Sequence, residues 1–281
     1  MTTPEVLGYT AITTAQDRRV ESARPDRLFH DELAELFVAA AVADIDDDHL
    51  LGWILRGQTL ADVVPSIRGY LALRTRYFDD QAIAAGCPQV VIVGAGLDAR
   101  AYRLTWPTTT VVFEIDTADV TAFKTGVLAG VDHRPSCRRI AIAADLREDW
   151  STPLAAAGFD RETATLWLAE GLLPYLDDAG TSRLMTTIAA LSAPGSGIVL
   201  DHAYPAARTT EDNAAGRARG VLFGSVVADP LVWLGRFGWR AELADPVDLA
   251  ARLHRDLPPL LDPARPGAPS FWLATATRQA G

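Results

Sequence analysis

The run Val90-Val91-Ile92-Val93-Gly94-Ala95-Gly96-Leu97-Asp98-Ala99-Arg100 constrains this chain more than any other stretch. Four consecutive β-branched residues read as a strand buried on both faces, and the two glycines read as a tight turn into a short helix. In an open α/β fold such a turn lies at the carboxyl edge of the sheet, where ligands bind, and glycine lets the backbone approach a ligand closely. Taken alone, the turn also suits a dinucleotide-binding protein, or tight packing with no ligand.

Further short runs of the same kind follow at Val111–Ile115, Ile140–Ala143, Thr165–Ala169 and Ile198–Asp201, and two more at Trp239–Leu243 and Phe271–Thr277. Between them lie stretches of helical length, Val120–Ala129 before Gly130 and Thr181–Leu191 before Pro194-Gly195, with another helix near Val247–Leu253. Alternation of this kind predicts an α/β fold, a mostly parallel seven-stranded sheet with helices on both faces. Ahead of it, from about Leu28 to Ala85, Leu28, Leu33, Leu36 and Phe37, and then Ile67, Tyr70, Leu71 and Leu73, recur at helical spacing, with Gly86 as the stop. Residues 1–86 are therefore expected to be an N-terminal helical segment that packs on a core of residues 87–281 and covers its site. After the fifth strand, residues 204–237 interrupt the alternation with a polar and then an apolar segment, and are expected to form a lid. The chain of 281 residues is read as one domain overall.

Composition narrows the partners. A net charge of −10 argues against a groove for nucleic acid, since binding a polyanion needs a positive field. No stretch has the length of a membrane span, and the first thirty residues lack the order of a signal peptide, so a cytoplasmic protein is expected. Cys87 and Cys137 lack metal-ligand spacing and no metal is expected. The partner anticipated is a small molecule, with a homodimer left open.

The ends of four successive strands carry the chemistry. Asp116, twenty residues beyond Gly96, closes the second strand where a nucleoside's ribose would lie, and a carboxylate there accepts bonds from both ribose hydroxyls. The alternative is a solvated strand-end acid. The third strand ends in Asp145-Leu146, an acid for an adenine amino group and an apolar side chain for the base. The fourth ends in Glu170, placed for the ammonium of an amino-acid tail or for a structural role. A dinucleotide site would not need the last two acids.

The chain resembles the leucine carboxyl methyltransferase family, in particular its bacterial branch of S-adenosylmethionine-dependent enzymes. The resemblance runs through Arg74-Thr75-Arg76-Tyr77-Phe78-Asp79-Asp80, Gly94 to Leu104, Phe113-Glu114-Ile115-Asp116, Asp145-Leu146 and Glu170-Gly171-Leu172-Leu173-Pro174-Tyr175. It implies a class I methyltransferase (Rossmann-like) fold and an S-adenosyl-L-methionine site built from Arg74, Gly94, Ala95, Gly96, Asp116, Asp145, Leu146 and Glu170. It further implies that Arg74 approaches the carboxyl end of the cofactor and an acceptor carboxylate. The family's lysine near the start finds no match, because Lys124 is the only lysine.

A carboxylate acceptor is ionised at neutral pH and needs positioning, to which an arginine fork is suited. Arg74 is the first candidate, with Arg76 more simply paired to Asp79 or Asp80. A hydroxyl acceptor needs a base, and His202 and Tyr204 follow the fifth strand at the functional edge of the sheet, although a lone histidine is more often a satisfied polar residue than a base. Tyr175, close after Glu170, is placed either to reach the acceptor or to pack. The expected activity is O-methylation of a small-molecule acceptor, at a carboxylate ahead of a hydroxyl. The alternatives are a fold of this class that binds the cofactor without transferring methyl, and a dinucleotide-dependent oxidoreductase.

Overall fold

The computed structural model describes residues 6–43, 45, 51–63, 67–132, 134–205, 224–264 and 271–279. The seven expected strands are all present: β1 (Gln89–Val93), β2 (Val111–Asp116), β3 (Arg138–Ala143), β4 (Thr165–Ala169), β5 (Gly197–Ala203), β6 (Trp239–Leu243) and β7 (Phe271–Arg278). They form one sheet in the order β3-β2-β1-β4-β5-β7-β6, with β7 antiparallel to both neighbours and every other pairing parallel. The order reverses between β1 and β4, and the crevice at such a reversal is where open α/β sheets bind ligands.

Strand alternation sorts the side chains into two cores. Val91 and Val93 of β1, Phe113 and Ile115 of β2, Trp167 of β4 and Ile198 and Leu200 of β5 face one way. They are covered by Leu154 of α8 (Ser151–Ala156) and by Leu184, Met185 and Ile188 of α9 (Asp178–Ala190). Val90, Ile92, Val112, Leu166, Leu168 and Val199 face the other way, under Leu73, Tyr77 and Phe78 of α5 (Tyr70–Ala85). Gly86 ends α5 in the left-handed region at φ 61°, a cap that glycine adopts without strain.

The N-terminal segment holds more helix than its apolar spacing suggests. Besides α2 (Glu32–Val42), α3 (Gly52–Leu55) and α4 (Leu60–Val63), a long first helix, α1 (Val6–Ser22), precedes them. Its sequence is polar and rich in threonine, so it shows no clear apolar stripe. Ile12 and Ala15 nonetheless pack with Phe37 and Val38 of α2 and with Leu97 and Ala99, beyond the β1 turn. Two short helices, α6 (Arg100–Arg103) and α7 (Ala118–Leu128), follow β1 and β2.

Within the expected lid, residues 206–223 lie outside the described residues. The remainder forms α10 (Pro230–Gly235), which buries Leu234 in the first core. The last helix, α11 (Pro246–Arg252), buries Leu249 in the second. No described helix is long and apolar enough to cross a membrane.

Candidate functional site

A cavity of about 320 Å³ opens at the carboxyl edge of β1, β2 and β4. Gly94, Ala95, Gly96, Asp116, Asp145, Leu146, Glu170, Arg74 and Tyr175 all line it. Helix α1 closes it from above with Thr10, Ala11, Thr13, Thr14 and Arg18, and Leu51, Trp53 and Leu60 add an apolar wall.

The glycine turn is tightly held. Gly94 and Gly96 have φ of 66° and 45°, and a Cβ at Gly94 would stand 2.9 Å from Leu172 Cδ1. Asp116 ties the turn to β2: its Oδ2 accepts a 2.6 Å bond from the Gly96 N–H, and its Oδ1 accepts one of 2.7 Å from the Thr117 N–H. Burial raises the Asp116 carboxyl above its ordinary value, against the lowering effect of those two bonds. Glu114, two residues earlier, is withdrawn from the cavity and pairs with Lys124 and Arg139 at 2.7 Å each. The lysine is thereby spent on the sheet face. Asp145 is half-buried at the cavity rim and is paired with Arg147 at 2.5 Å, which holds its carboxyl below the usual range.

Behind the turn, a network of buried charges joins three elements. Arg74 of α5 donates from Nε to Glu170 at 3.0 Å and from Nη1 to Asp201 at 3.2 Å. Asp201 also accepts from the Tyr70 hydroxyl at 2.7 Å and from the Gly171 N–H at 2.6 Å. Arg100, fully buried, meets Glu170 Oε2 at 2.6 Å and Asp79 at 2.8 Å, and bonds Asp98 as well. Burial alone would raise the Glu170 carboxyl, but Arg100 and then Arg74 override it and hold Glu170 far below the usual carboxylate range. Glu170 is thus an ionised acid whose position is set by two arginines. Sequence reasoning named Arg74 and Glu170 and missed Tyr70, Arg100 and Asp201 as their partners, although Arg100 stands in the β1 motif itself.

The structure does not bring every expected residue to this cavity. Asp201 and His202 are neighbours on β5, so their side chains leave opposite faces of the sheet. Asp201 joins Arg74, whereas His202 enters the far core between Trp233 and Trp272, with ring centroids 6.0 and 5.8 Å away. Its Nε2 shares a 3.1 Å hydrogen bond with the Ser225 hydroxyl, which also bonds Thr181. Tyr204 packs against that same core, and burial raises its phenol. Neither residue lines the cavity. Tyr175 does, from the turn Leu173–Tyr175 after β4; its side chain is partly exposed, and desolvation at the hydroxyl raises its phenol. Arg76 is half-buried and bridges Asp80 at 2.8 Å.

These residues fit S-adenosyl-L-methionine. A bare-backbone turn, a strand-end carboxylate beside it, Leu146 with a second acid, and a buried ionised Glu170 stand in one cavity, in the order that a nucleoside with an amino-acid tail requires.

The family model for leucine carboxyl methyltransferase matches residues 11–189. A protein of Parafrankia sp. named "Putative S-adenosyl-L-methionine-dependent methyltransferase Franean1_4929" is 41% identical over 263 residues, covering 90% of this chain and 83% of its own. A "Putative S-adenosyl-L-methionine-dependent methyltransferase" of Mycobacterium avium is 42% identical over 255 residues, 86% of this chain and 82% of its own. Among solved structures, a duf574 family protein of Streptomyces avermitilis superposes with a TM-score of 0.56 at 15% identity, covering 94% of this chain and 96% of that one. A putative methyltransferase of Thermobifida fusca superposes with a TM-score of 0.54 at 18% identity, covering 95% and 94%. At that identity the two structures speak for the fold, and they share it with this chain.

Proposed function

This chain belongs to the leucine carboxyl methyltransferase family of S-adenosyl-L-methionine-dependent methyltransferases, and from that premise we propose that it methylates a carboxylate oxygen of a small-molecule acceptor.

One observation carries this reading. Among the described residues that line the cavity there is no histidine, cysteine or lysine. The cavity acids are engaged: Glu170 with two arginines, Asp145 with Arg147, Asp98 with Arg100, and Asp116 with two backbone N–H groups. Tyr175 has a raised phenol and holds its proton through the neutral range. A hydroxyl acceptor needs a group to take its proton, whereas a carboxylate arrives ionised at neutral pH.

When bound, the cofactor supplies an electrophilic methyl group on a sulfonium. The chain's part is alignment in a water-poor space. In our reading, Asp116 holds the ribose, Asp145 and Leu146 the adenine, and Glu170 the ammonium of the amino-acid tail. Arg74 fixes Glu170 and Asp201 in place. The apolar wall of Leu51, Trp53 and Leu60 excludes water and receives an apolar acceptor body.

The test is the chemistry of the product. Methyl-labelled cofactor incubated with a panel of apolar carboxylic acids and phenols should give a product that releases labelled methanol under mild alkali, as a methyl ester does. An alkali-stable methyl ether would replace the carboxylate with a hydroxyl acceptor.

A further inference from the structure

The sheet ends on one side in β6, whose one strand neighbour among the described residues is β7. An edge strand carries a row of backbone N–H and C=O groups without a ladder partner, which another strand can take up. The pairing with β7 decides which residues carry that row. The Ala244 N–H donates to the Leu273 carbonyl at 2.9 Å, so Arg240, Glu242 and Ala244 turn their backbone groups towards β7. The direction alternates along a strand, so Trp239, Ala241 and Leu243 turn theirs outward. Among the described residues nothing bonds the N–H of Ala241 or Leu243.

No proline or bulge blunts this edge, since all five residues of β6 pair with β7 in one unbroken register. What β6 exposes is Arg240 and Glu242 on one face and Leu243, 37% exposed, on the other. Neither charge takes part in an ion pair among the described residues. The order of the two is self-complementary. Read in the reverse direction about Ala241, arginine falls opposite glutamate and glutamate opposite arginine. An antiparallel pair of β6 strands centred on Ala241 is hydrogen-bonded at that residue, whose backbone groups face outward. Arg240 of one strand and Glu242 of the other then occupy the flanking positions that are not hydrogen-bonded, where side chains stand closest. Centring on Arg240 or on Glu242 would instead oppose two like charges, which is destabilising. Centring on Trp239 or Leu243 matches neither charge with its opposite within the strand. The sheet's other edge strand, β3, has Arg138 and Arg139 and no acid, and lacks this symmetry.

We infer that β6 is a twofold interface: it adds antiparallel to β6 of a second copy of this chain, centred on Ala241, and joins two sheets into one. Twofold symmetry makes each contact twice. Two Arg240–Glu242 pairs therefore clamp one face, while Leu243 comes opposite Trp239 of the second copy on the other. The cavity lies at the ends of β1, β2 and β4, and β5 and β7 separate it from β6, so the pairing leaves it open.

Analytical ultracentrifugation of the full chain over a hundredfold range of concentration tests this, with backbone amide exchange as the local readout. Wild type should sediment as a dimer in which the Ala241 and Leu243 amides are protected. R240E and E242R each oppose like charges across the axis, and each should weaken the dimer at least tenfold and open those two amides to exchange. The double variant R240E/E242R reverses both charges and restores two opposite pairs. It should recover the dimer to within about threefold of wild type. Both side chains are exposed, and unchanged circular dichroism and S-adenosylhomocysteine affinity in each variant show that the fold is kept. A wild type that stays monomeric at every concentration overturns the inference. A dimer that survives both single variants does so too, because it uses another surface. A double variant no better than the single ones shows that the two charges do not face each other, and equally overturns it.

Discussion

Arg100 Nη1 stands 2.6 Å from Glu170 Oε2, so an arginine of the β1 motif fixes the acid at the end of β4. Arg100 is fully buried, and Asp79 and Asp98 share its guanidinium. Removing one partner from a buried charge cluster leaves the others unneutralised, at a cost of about 3–5 kcal/mol. Arg100→Ala should therefore lose about that much stability in urea denaturation, and Glu170→Gln added to it should recover part of the loss. A single variant within 1 kcal/mol of wild type would mean that water or rearrangement already satisfies these acids.

Asp116 holds the Gly96 and Thr117 N–H groups, and in the reading proposed above it also holds the ribose. Asp116→Ala should weaken S-adenosylhomocysteine by roughly 1.5–3 kcal/mol, the range for a lost charged hydrogen bond. Asp116→Asn keeps one oxygen for the turn and should fall between. Calorimetry reads both, and an unchanged dissociation constant in the Ala variant would remove Asp116 from the ribose site.

What the residues disclosed in advance, and what they hid, follows from the range of each interaction. The strands were readable because runs such as Val90–Val93 and Thr165–Ala169 are apolar on both faces, and the Gly94–Gly96 turn and Asp116 follow from position along those strands. Helix α1 was hidden because Thr10, Thr13, Thr14 and Gln16 mask its pattern; packing on Leu97 and Phe37 rather than periodicity makes its buried face. The pairing of Arg74 with Asp201 spans 127 residues and has no local signature. The dipeptide Asp201-His202 was visible, but which of the two faces the site depends on the strand's orientation, which only the assembled sheet decides.

Asp17, on α1, should make the stability of the folded chain depend on pH. Its Oδ2 accepts the Leu60 N–H at 3.1 Å, joining α1 to α4, with Asp62, Arg74 and Arg18 around it. Burial raises its carboxyl from the ordinary 3.8 to about 7. The folded state then binds a proton that the unfolded state has released, so this group's contribution to stability falls as pH rises from about 3.8 through about 7 and levels off above. Asp17→Asn removes that dependence while keeping an acceptor oxygen for Leu60. Urea denaturation at several pH values between 5 and 8 should show the variant gaining on wild type as pH rises. A constant difference across that range would sink the proposal that Asp17 is protonated in the native state.

His202 offers the sharpest contrast between a structural and a chemical role. Its ring is fully buried between Trp233 and Trp272 and shares a hydrogen bond with Ser225, on the face of β5 opposite to Asp201 and Arg74. Truncating it removes ring contacts and leaves the Ser225–Thr181 pair short of a partner, so His202→Ala should lower stability by about 2–4 kcal/mol. Affinity for S-adenosylhomocysteine should stay within about twofold of wild type, a change of roughly 0.4 kcal/mol. Turnover measured below the variant's melting range should persist, because no proton of a carboxylate acceptor has to be removed. The pH profile of wild type should likewise lack a limb near 6.5, where a histidine base would impose one. If His202→Ala keeps its fold and its cofactor affinity but abolishes turnover, and the wild-type profile shows that limb, then the imidazole reaches the acceptor and the carboxylate reading fails.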